Sequence, residues 1–284
     1  MRQGTAAAAT ERESMSATER WRADLQAWAV PEPILAAAED SPWVLPRHVF
    51  TRRADVLTAK PEGESFPAAW EALDPPGTVL DVGAAAGAAS LPLAARSTSI
   101  TAVDTDAGLL GEFERRAKTL GVPARVIEGR WPDVADRAGV ADVVVCHHVI
   151  YNAADIAPFL RALTAAARRL VVVETARRHP LTSLNDLWLH FHGIVRPQGP
   201  TADDAVAVLR ELGIEPRVAA WRRQHSASGE HPDFDTLVDV TRRRLCLPRE
   251  RAPEVAKALR DGGADGTRDL GSSGDEIVTL VWRP

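Results

Sequence analysis

Two glycines and an acid that follows them carry the strongest chemical signal in the chain. Residues 79–90 read Val-Leu-Asp-Val-Gly-Ala-Ala-Ala-Gly-Ala-Ala-Ser, an apolar run followed by Gly83 and Gly87 among small residues. Such a turn brings the backbone close to a ligand because glycine has no side chain, and it aims the free amides of a following helix at that ligand. Asp104 ends the next apolar run, about 20 residues further on. This layout predicts an α/β domain that binds a nucleoside.

The spacing of the glycines distinguishes between two kinds of nucleoside cofactor. The dinucleotide fingerprint needs glycines at the first, third and sixth positions of its loop. Counted from Gly83, the third and sixth positions are Ala85 and Ala88. Gly87 stands at the fifth position instead, and Asp81 comes two residues before Gly83. This pattern resembles motif I of the class I S-adenosylmethionine-dependent methyltransferases, with Ala85 in place of the family's middle glycine.

The resemblance implies a fold, a cofactor and the residues that bind it. It covers roughly residues 77–224, with a last strand at 276–283, and implies a doubly wound, seven-stranded Rossmann-like sheet whose last strand is antiparallel. The implied cofactor is S-adenosyl-L-methionine, with S-adenosyl-L-homocysteine as product. Asp104 would accept hydrogen bonds from both ribose hydroxyls, since a carboxylate has two acceptor oxygens. The cofactor-binding residues implied are Asp81, Gly83, Ala84, Ala85, Gly87, Asp104, Thr105, Arg130, Trp131 and His147.

One segment departs from the family pattern. Gly129-Arg130 stands after the third apolar run, where many members carry Gly-Asp beside the adenine. An acidic contact to the base is therefore not expected at Arg130. Trp131 is the alternative contact, because its ring can stack on a base. A packing role in the protein core remains the other interpretation of this tryptophan.

Polar residues after the fourth and fifth strands are candidates for binding the methyl acceptor. In an open α/β sheet the ligand lies beyond the carboxyl ends of the strands. A histidine is the expected base, if one is needed, since it titrates near neutral pH. We predict His148 or His190 as that base, with a packing role as the alternative for His148. The predicted lining of the acceptor pocket is Tyr151, Asn152, Trp188 and His192, and the same strand-end rule also selects Glu174, Arg178 and His179.

Composition excludes several classes of protein. The chain has 284 residues, 45% of them hydrophobic, and a formal net charge of −5, which argues against a dedicated nucleic-acid binder. Its two cysteines lack zinc-ligand spacing and imply no disulfide framework, which suits the cytoplasm. No signal peptide or membrane span is expected, and no histidine–carboxylate spacing predicts a metal site. The run Arg242-Arg243-Arg244 is typical of a solvated helix face.

Hydrophobic periodicity predicts alternating strands and helices, and hence a parallel sheet with helices on both faces. Ser16 and Glu19 have the spacing of a capping box and predict a helix from residue 16 to about 30. Strands are expected at 78–82, 99–103, 124–128, 141–146, 170–174, 216–222 and 277–282. Helices are expected between them at about 86–95, 107–119, 155–168 and 202–212, with an additional helix at 181–196.

These observations combine into one functional hypothesis with two alternatives. We expect a disordered segment at 1–15, a helical appendage at 16–75 and a methyltransferase domain at 76–284 with a helical insertion at about 233–262. The expected activity is methyl transfer to a small molecule, without nucleic-acid or membrane partners. Residues 16–60 and the helix near 184–192 are predicted to close over the acceptor, although the N-terminal helices could instead cover a sheet edge or mediate a dimer. The alternatives are methylation of RNA or protein, and cofactor binding without catalysis.

Overall fold

Seven strands form one sheet in the computed structural model, which describes residues 14–223, 233–264 and 276–284. The strands are β1 (Gly77–Val82), β2 (Ser97–Asp104), β3 (Ala124–Glu128), β4 (Ala141–His147), β5 (Ala167–Ala176), β6 (Arg217–Arg222) and β7 (Glu276–Trp282). Their order is β3-β2-β1-β4-β5-β7-β6. The first five strands are parallel, and β7 runs antiparallel between β5 and β6. The predicted strands and the predicted Rossmann-like sheet are confirmed.

Helices cover both faces of this sheet. In chain order the described α-helices are α1 (Ala17–Gln26), α2 (Glu32–Ala36), α3 (Arg47–Ala59), α4 (Ser65–Ala72), α5 (Ala107–Leu120), α6 (Ala135–Ala138), α7 (Ile156–Ala165), α8 (Asn185–His192), α9 (Ala202–Glu211), α10 (Phe234–Arg244) and α11 (Ala252–Asp261). One face of the sheet packs against α1, α7 and α9, and the other against α4, α5 and the 3₁₀ helix Leu91–Arg96. A separate apolar cluster joins α2, α8, α10 and α11.

The predicted helix at 86–95 is wrong. Residues after Gly83 form turns, and only the 3₁₀ helix Leu91–Arg96 follows them. Gly87 has a φ of +97°, which lies outside the helical region, and Pro92 has no amide to donate. Leu91 and Leu93 are nevertheless buried, so the short 3₁₀ helix still covers the sheet. The segment keeps the hydrophobic role of the predicted helix without its geometry.

The capping box at the first helix is confirmed, although the helix ends earlier than expected. The Ser16 hydroxyl accepts from the Glu19 amide, and the Glu19 carboxylate accepts from the Ser16 amide. Helix α1 ends at Gln26, before Pro31 and Pro33.

Most of the segment expected to be disordered, and residues 265–274 of the glycine-rich segment before β7, lie outside the described residues. No helix in the described ranges is both long and apolar enough to cross a bilayer.

Candidate functional site

The glycine turn after β1 is bonded to the end of β2. The amides of Gly83 and Ala84 donate to the carbonyl oxygen of Val103 at 2.8 and 3.0 Å. The backbone has positive φ angles at Gly83 (+74°) and Ala85 (+45°). A Cβ added to Gly83 would lie 2.2 Å from Cγ2 of Val149, in the loop after β4. The turn therefore depends on glycine because of its backbone angle and because Val149 fills the space beside it.

Asp104 lies against the same turn. Its Oδ2 accepts from the amide of Ala85 at 2.8 Å, and its Oδ1 accepts from the amide of Asp106 at 2.9 Å. A carboxylate offers about four lone-pair sites, so each oxygen keeps capacity for another donor. Asp104 is half-buried and Thr105 beside it is exposed. The carboxylate is thus oriented by the turn and still able to bind a diol.

Asp81, at the end of β1, is a buried acid behind the turn. Its Oδ2 accepts from the Ser90 hydroxyl at 2.6 Å, whereas Oδ1 is buried and has no hydrogen-bond partner among the described residues. Burial raises the pKa of Asp81 to about 7, the Ser90 hydrogen bond opposes this rise, and the charge of Asp104 adds to it. A buried carboxylate with an unsatisfied oxygen favours a cationic or hydrogen-bonding ligand nearby. This part of the predicted cofactor site therefore fits a cationic ligand such as a sulfonium amino acid.

Two predicted cofactor residues after β3 differ in their exposure. Arg130 is exposed. Trp131 is buried in the core beside Val134 and Phe159, and its indole Nε1 donates to the Phe159 carbonyl oxygen at 3.3 Å. This contact favours the packing role that the sequence left open for Trp131 over stacking on a base.

The ends of β4 and β5 bring two histidines and an acid together. His147 and Glu174 are paired in register across the two strands. Nε2 of His148 lies 3.3 Å from Oε1 of Glu174 and 3.4 Å from Nη2 of Arg223. Glu174 can only accept and Arg223 can only donate, so the tautomer with its proton on Nε2 makes His148 a donor to the charged carboxylate of Glu174. The Ser65 hydroxyl donates to the other carboxylate oxygen, Oε2, at 2.7 Å.

Burial and hydrogen bonding fix the charge of these groups. Burial alone would raise the pKa of Glu174, but the neighbouring histidines and the Ser65 hydroxyl outweigh it and lower the pKa to about 2. Burial lowers the pKa of His148 to about 4, although the bond to Glu174 opposes this shift. Burial likewise lowers the pKa of His147 below its usual value. Near pH 7 the cluster therefore holds one carboxylate and two neutral imidazoles.

His147 and Glu174 form part of the polar wall of a small, solvent-open cleft. The cleft runs between the strand ends, the segment joining α3 to α4, and the residues after the glycine turn. Sequence reasoning missed most of its lining because these residues lie far from the motif along the chain. The aromatic residues near the end of β6 and at the start of α4 were the available signal. The other lining residues are Leu57, Pro61, Glu62, Ser65, Phe66, Ala88, Ala89, Pro92, Trp221 and Arg223.

The other predicted site residues do not line this cleft. Trp188 is buried in the cluster of α2, α8, α10 and α11, and the His192 ring lies 4.7 Å from its ring. His192 Nε2 also lies 2.7 Å from the Leu245 carbonyl oxygen. His190 is exposed on α8, and Tyr151 contacts the ring of His179 edge-on. Asn152 is exposed in the loop after β4. The structure thus brings together His147, His148 and Glu174, but not the predicted residues of α8.

No group of histidine, cysteine, aspartate or glutamate side chains suited to a metal ion occurs within the described ranges. The predicted absence of a metal site stays a prediction.

Comparison with known proteins agrees with this geometry. A family model described as a methyltransferase domain matches residues 79–171. This part of the chain is similar to a methyltransferase domain. The match runs from β1 into β5, so it includes the glycine turn, Asp104 and the two histidines after β4. The sheet order is that of the class I methyltransferases, as the sequence predicted. A search of curated proteins finds no match.

Two solved structures share this fold at low sequence identity, and a third is similar over a smaller part of the chain. A cyclopropane-fatty-acyl-phospholipid synthase-like protein from Lactobacillus casei is 15% identical, with 89% of this chain and 98% of that chain covered and a TM-score of 0.50. A protein assigned as a sarcosine dimethylglycine methyltransferase from Galdieria sulphuraria is 13% identical, with 88% and 95% covered and a TM-score of 0.50. Magnesium protoporphyrin IX methyltransferase from Synechocystis PCC 6803 is 21% identical, with 62% and 78% covered and a TM-score of 0.46. At these identities the likeness concerns the fold.

Proposed function

We propose that the protein transfers a methyl group from S-adenosylmethionine to a small-molecule acceptor. The observation that carries the cofactor assignment is the Asp104 carboxylate, which the amide of Ala85 holds against the glycine turn. A nucleoside ribose bound there would be held by the remaining lone pairs of Asp104. Asp81, whose pKa is raised to about 7, would supply negative charge behind the turn in its ionised form, for the cationic part of the same molecule.

The cofactor supplies an activated methyl group on a sulfonium sulfur when it is bound. The protein's own residues then have to hold the acceptor in line with that methyl group and exclude water. The solvent-open cleft lies where such an acceptor would be needed. Its polar wall begins at His147, and the pairing of Asp81 with Val145 brings the end of β4 beside the glycine turn. A methyl acceptor in the cleft would therefore lie next to the cofactor.

A small acceptor is favoured over RNA because several of the arginines are already paired with aspartates. Arg242 is buried and bonded to Asp40 and Asp239, and Arg243 also contacts Asp239. Arg47 is paired with Asp106. Arginines that are already neutralised are poor contacts for phosphates. A salt-dependent shift of RNA by the purified protein would support the alternative instead.

Helix α3 is the part of the N-terminal segment suited to act as a lid. Phe50 and Ala54 of this helix pack on Ala85 and Ala86 of the glycine turn. Leu57 of the same helix lines the cleft. We propose that α3 closes the cofactor and acceptor sites from solvent, in place of the wider lid predicted from residues 16–60 and 184–192.

Calorimetry with the purified protein tests the cofactor assignment. We expect S-adenosylmethionine and S-adenosylhomocysteine to bind with free energies of about −7 to −8 kcal/mol, in the micromolar range. Asp104→Ala should weaken this binding by roughly 1.5–3 kcal/mol, because charge-assisted hydrogen bonds are lost. Glu114→Ala, an exposed acid on α5, is the matched control and should bind as the wild type does. Equal affinity in wild type and Asp104→Ala, or tighter binding of NAD, would contradict the assignment. Tight cofactor binding with no turnover on any acceptor would favour the non-catalytic alternative.

A further inference from the structure

The cleft at the ends of β4 and β5 has two kinds of wall. Phe66 and Trp221 give it aromatic surfaces, and Leu57 adds an aliphatic one. His147, Glu174 and Ser65 form a polar corner, and Glu62 and Arg223 add charged groups to the lining. Ligand pockets with large apolar walls and a few polar groups select molecules of the same character. The cleft therefore suits a flat aromatic acceptor that carries a polar group able to reach His147.

His147 lines that corner and has a ring nitrogen without a hydrogen-bond partner within the described ranges. Its Nε2 is buried and makes no hydrogen bond to any described part of the chain. A buried imidazole nitrogen without a partner is costly unless a ligand supplies one. Because burial also keeps the ring neutral, this nitrogen can accept a hydrogen bond from a ligand hydroxyl or take up its proton.

Glu174 is held in place to stabilise a positive charge on that ring. Ser65 and His148 donate to its two oxygens, and the amide of His148 donates to its carbonyl oxygen at 2.7 Å. These contacts keep the carboxylate ionised beside His147, its partner in strand register. A carboxylate next to an imidazole stabilises the imidazolium that forms when the ring accepts a proton. Glu174 and His148 are therefore positioning residues.

We propose that this cleft is the acceptor site, that it takes an aromatic hydroxyl compound, and that His147 removes the hydroxyl proton during methyl transfer. The proposal rests on the proposed function. The acceptor O–H bond breaks and its proton goes to Nε2 of His147. The freed electron pair of the oxygen forms the bond to the methyl carbon, while the bond between sulfur and that carbon breaks. The sulfonium becomes a neutral thioether, so charge and atoms balance.

The residues around His147 suit a hydroxyl acceptor better than an amine acceptor, because only the hydroxyl needs a base. A neutral amine can attack the methyl group with its own lone pair, so it needs no base before transfer. A hydroxyl is a weak nucleophile until a base takes its proton, and His147 beside Glu174 supplies such a base. His148, which the sequence also suggested, is less suited because its Nε2 already donates to Glu174.

Matched naphthalene derivatives separate these acceptor classes. We would measure binding of 1-naphthol, 1-naphthylamine and 1-methoxynaphthalene to the protein saturated with S-adenosylhomocysteine, and methylation of 1-naphthol and 1-naphthylamine with S-adenosylmethionine. We expect 1-naphthol to bind more tightly than its methyl ether, and to be methylated in preference to the amine. A protein that binds the cofactor but neither binds nor methylates 1-naphthol would overturn the acceptor class and leave the proposed function standing. Faster methylation of the amine would overturn it as well. Absence of cofactor binding would refute the proposed function itself.

Variants of His147 test its role as the base. His147→Gln and His147→Ala should lower kcat for 1-naphthol by about 10²–10⁴-fold, the usual contribution of a general base. The circular dichroism spectrum and the midpoint of thermal unfolding should stay close to those of the wild type, which would show that the variants are folded. The wild-type rate should fall toward acid pH as His147 is protonated, and this limb should be absent in His147→Gln. Added imidazole should restore part of the activity of His147→Ala.

Other charged groups around His147 enter this pH dependence. Glu174 on β5 raises the proton affinity of His147, whereas Arg53 on α3 lowers it. His148, Arg223 and Glu62 lie around the same corner. Glu174→Gln should therefore shift the acid limb to lower pH while His147 remains the titrating group. Unchanged kcat in both His147 variants would overturn the role of base. A lowered kcat with the wild-type acid limb retained would assign His147 a structural role and overturn the proposal equally.

Discussion

Two buried carboxyl groups on one face of the sheet show how local donors decide the charge of a residue. Asp81 receives one hydroxyl hydrogen bond, and burial raises its pKa to about 7. Glu174 is also buried, but the neighbouring histidines and a hydroxyl outweigh burial and lower its pKa to about 2. The number and charge of the neighbours therefore decide the protonation state.

Asp81→Asn tests the cost of the buried charge. Since the folded-state pKa is raised from 3.8 to about 7, Asp81 contributes stability below its unfolded pKa, and this contribution is lost as pH rises through 7. Asparagine does not titrate, so the variant should gain stability relative to wild type between pH 4 and 7, by at most about 4 kcal/mol in total. Urea unfolding of both proteins at several pH values measures the difference. A difference that stays constant with pH would show that Asp81 is not protonated in the folded protein.

At the residue scale the sequence predicted the glycine turn and its contact with Asp104 better than the lining of the cleft. Spacing alone selects Asp81, Gly83 and Asp104, because they surround one local turn. It does not separate His147 from His148, since the choice depends on which ring faces the cleft. His148 has a φ of +59°, which breaks the strand alternation after His147. Ser65 contacts Glu174 from 109 residues away, and no local pattern predicts such a contact.

At the scale of elements, strands were predictable and the ends of helices less so. Continuous apolar runs identify the buried parallel strands, and their alternation with helices predicts the sheet. The sequence could not show that one residue of the basic run at 242–244 is buried. Arg242 is buried, bonded to Asp40 and Asp239 and to the carbonyl oxygen of Leu247, so the expectation of a solvated face is wrong at this residue. This contact ties α10 to the segment between α2 and α3.

Substitution of neighbouring arginines on α10 tests how much the ion pair between Arg242 and Asp40 contributes to stability. Side-chain exposure is 2% for Arg242 and 32% for Arg243. Arg242→Met should destabilise the protein by about 3–5 kcal/mol, because Asp40, Asp239 and a buried carbonyl lose their partner. Arg243→Met should cost no more than about 1 kcal/mol, as expected for a more exposed ion pair. Denaturant unfolding of both variants gives the comparison. Equal, small losses in the two variants would mean that the buried ion pair contributes little.

At the scale of the whole molecule, the N-terminal helices contact several separate parts of the sheet and its surrounding helices. Helix α1 packs on α7 and α9, and Glu211 at the end of α9 accepts hydrogen bonds from its first amides. Helix α2 packs in the cluster with α8, α10 and α11, whereas α3 packs on the glycine turn. The capping box predicted the first helix but not the partners of that helix, which are more than a hundred residues away. The division into an appendage and a domain stays a prediction, and removal of residues before 62 would expose three separate contact surfaces.

A pair of tryptophan substitutions tests whether the N-terminal helices unfold with the domain or separately. Trp21 is 1% exposed and its indole Nε1 donates to the carbonyl oxygen of Ala153, whereas Trp43 is 53% exposed. Trp21→Ala should cost about 3–5 kcal/mol through loss of buried surface and the cavity left behind, and Trp43→Ala should change stability by no more than about 0.5 kcal/mol. If the helices belong to the same cooperative unit, Trp21→Ala lowers the midpoint of one thermal transition followed by both circular dichroism and cofactor affinity. A separate early transition in Trp21→Ala that leaves the remaining domain folded would show instead that the helices form an independent appendage.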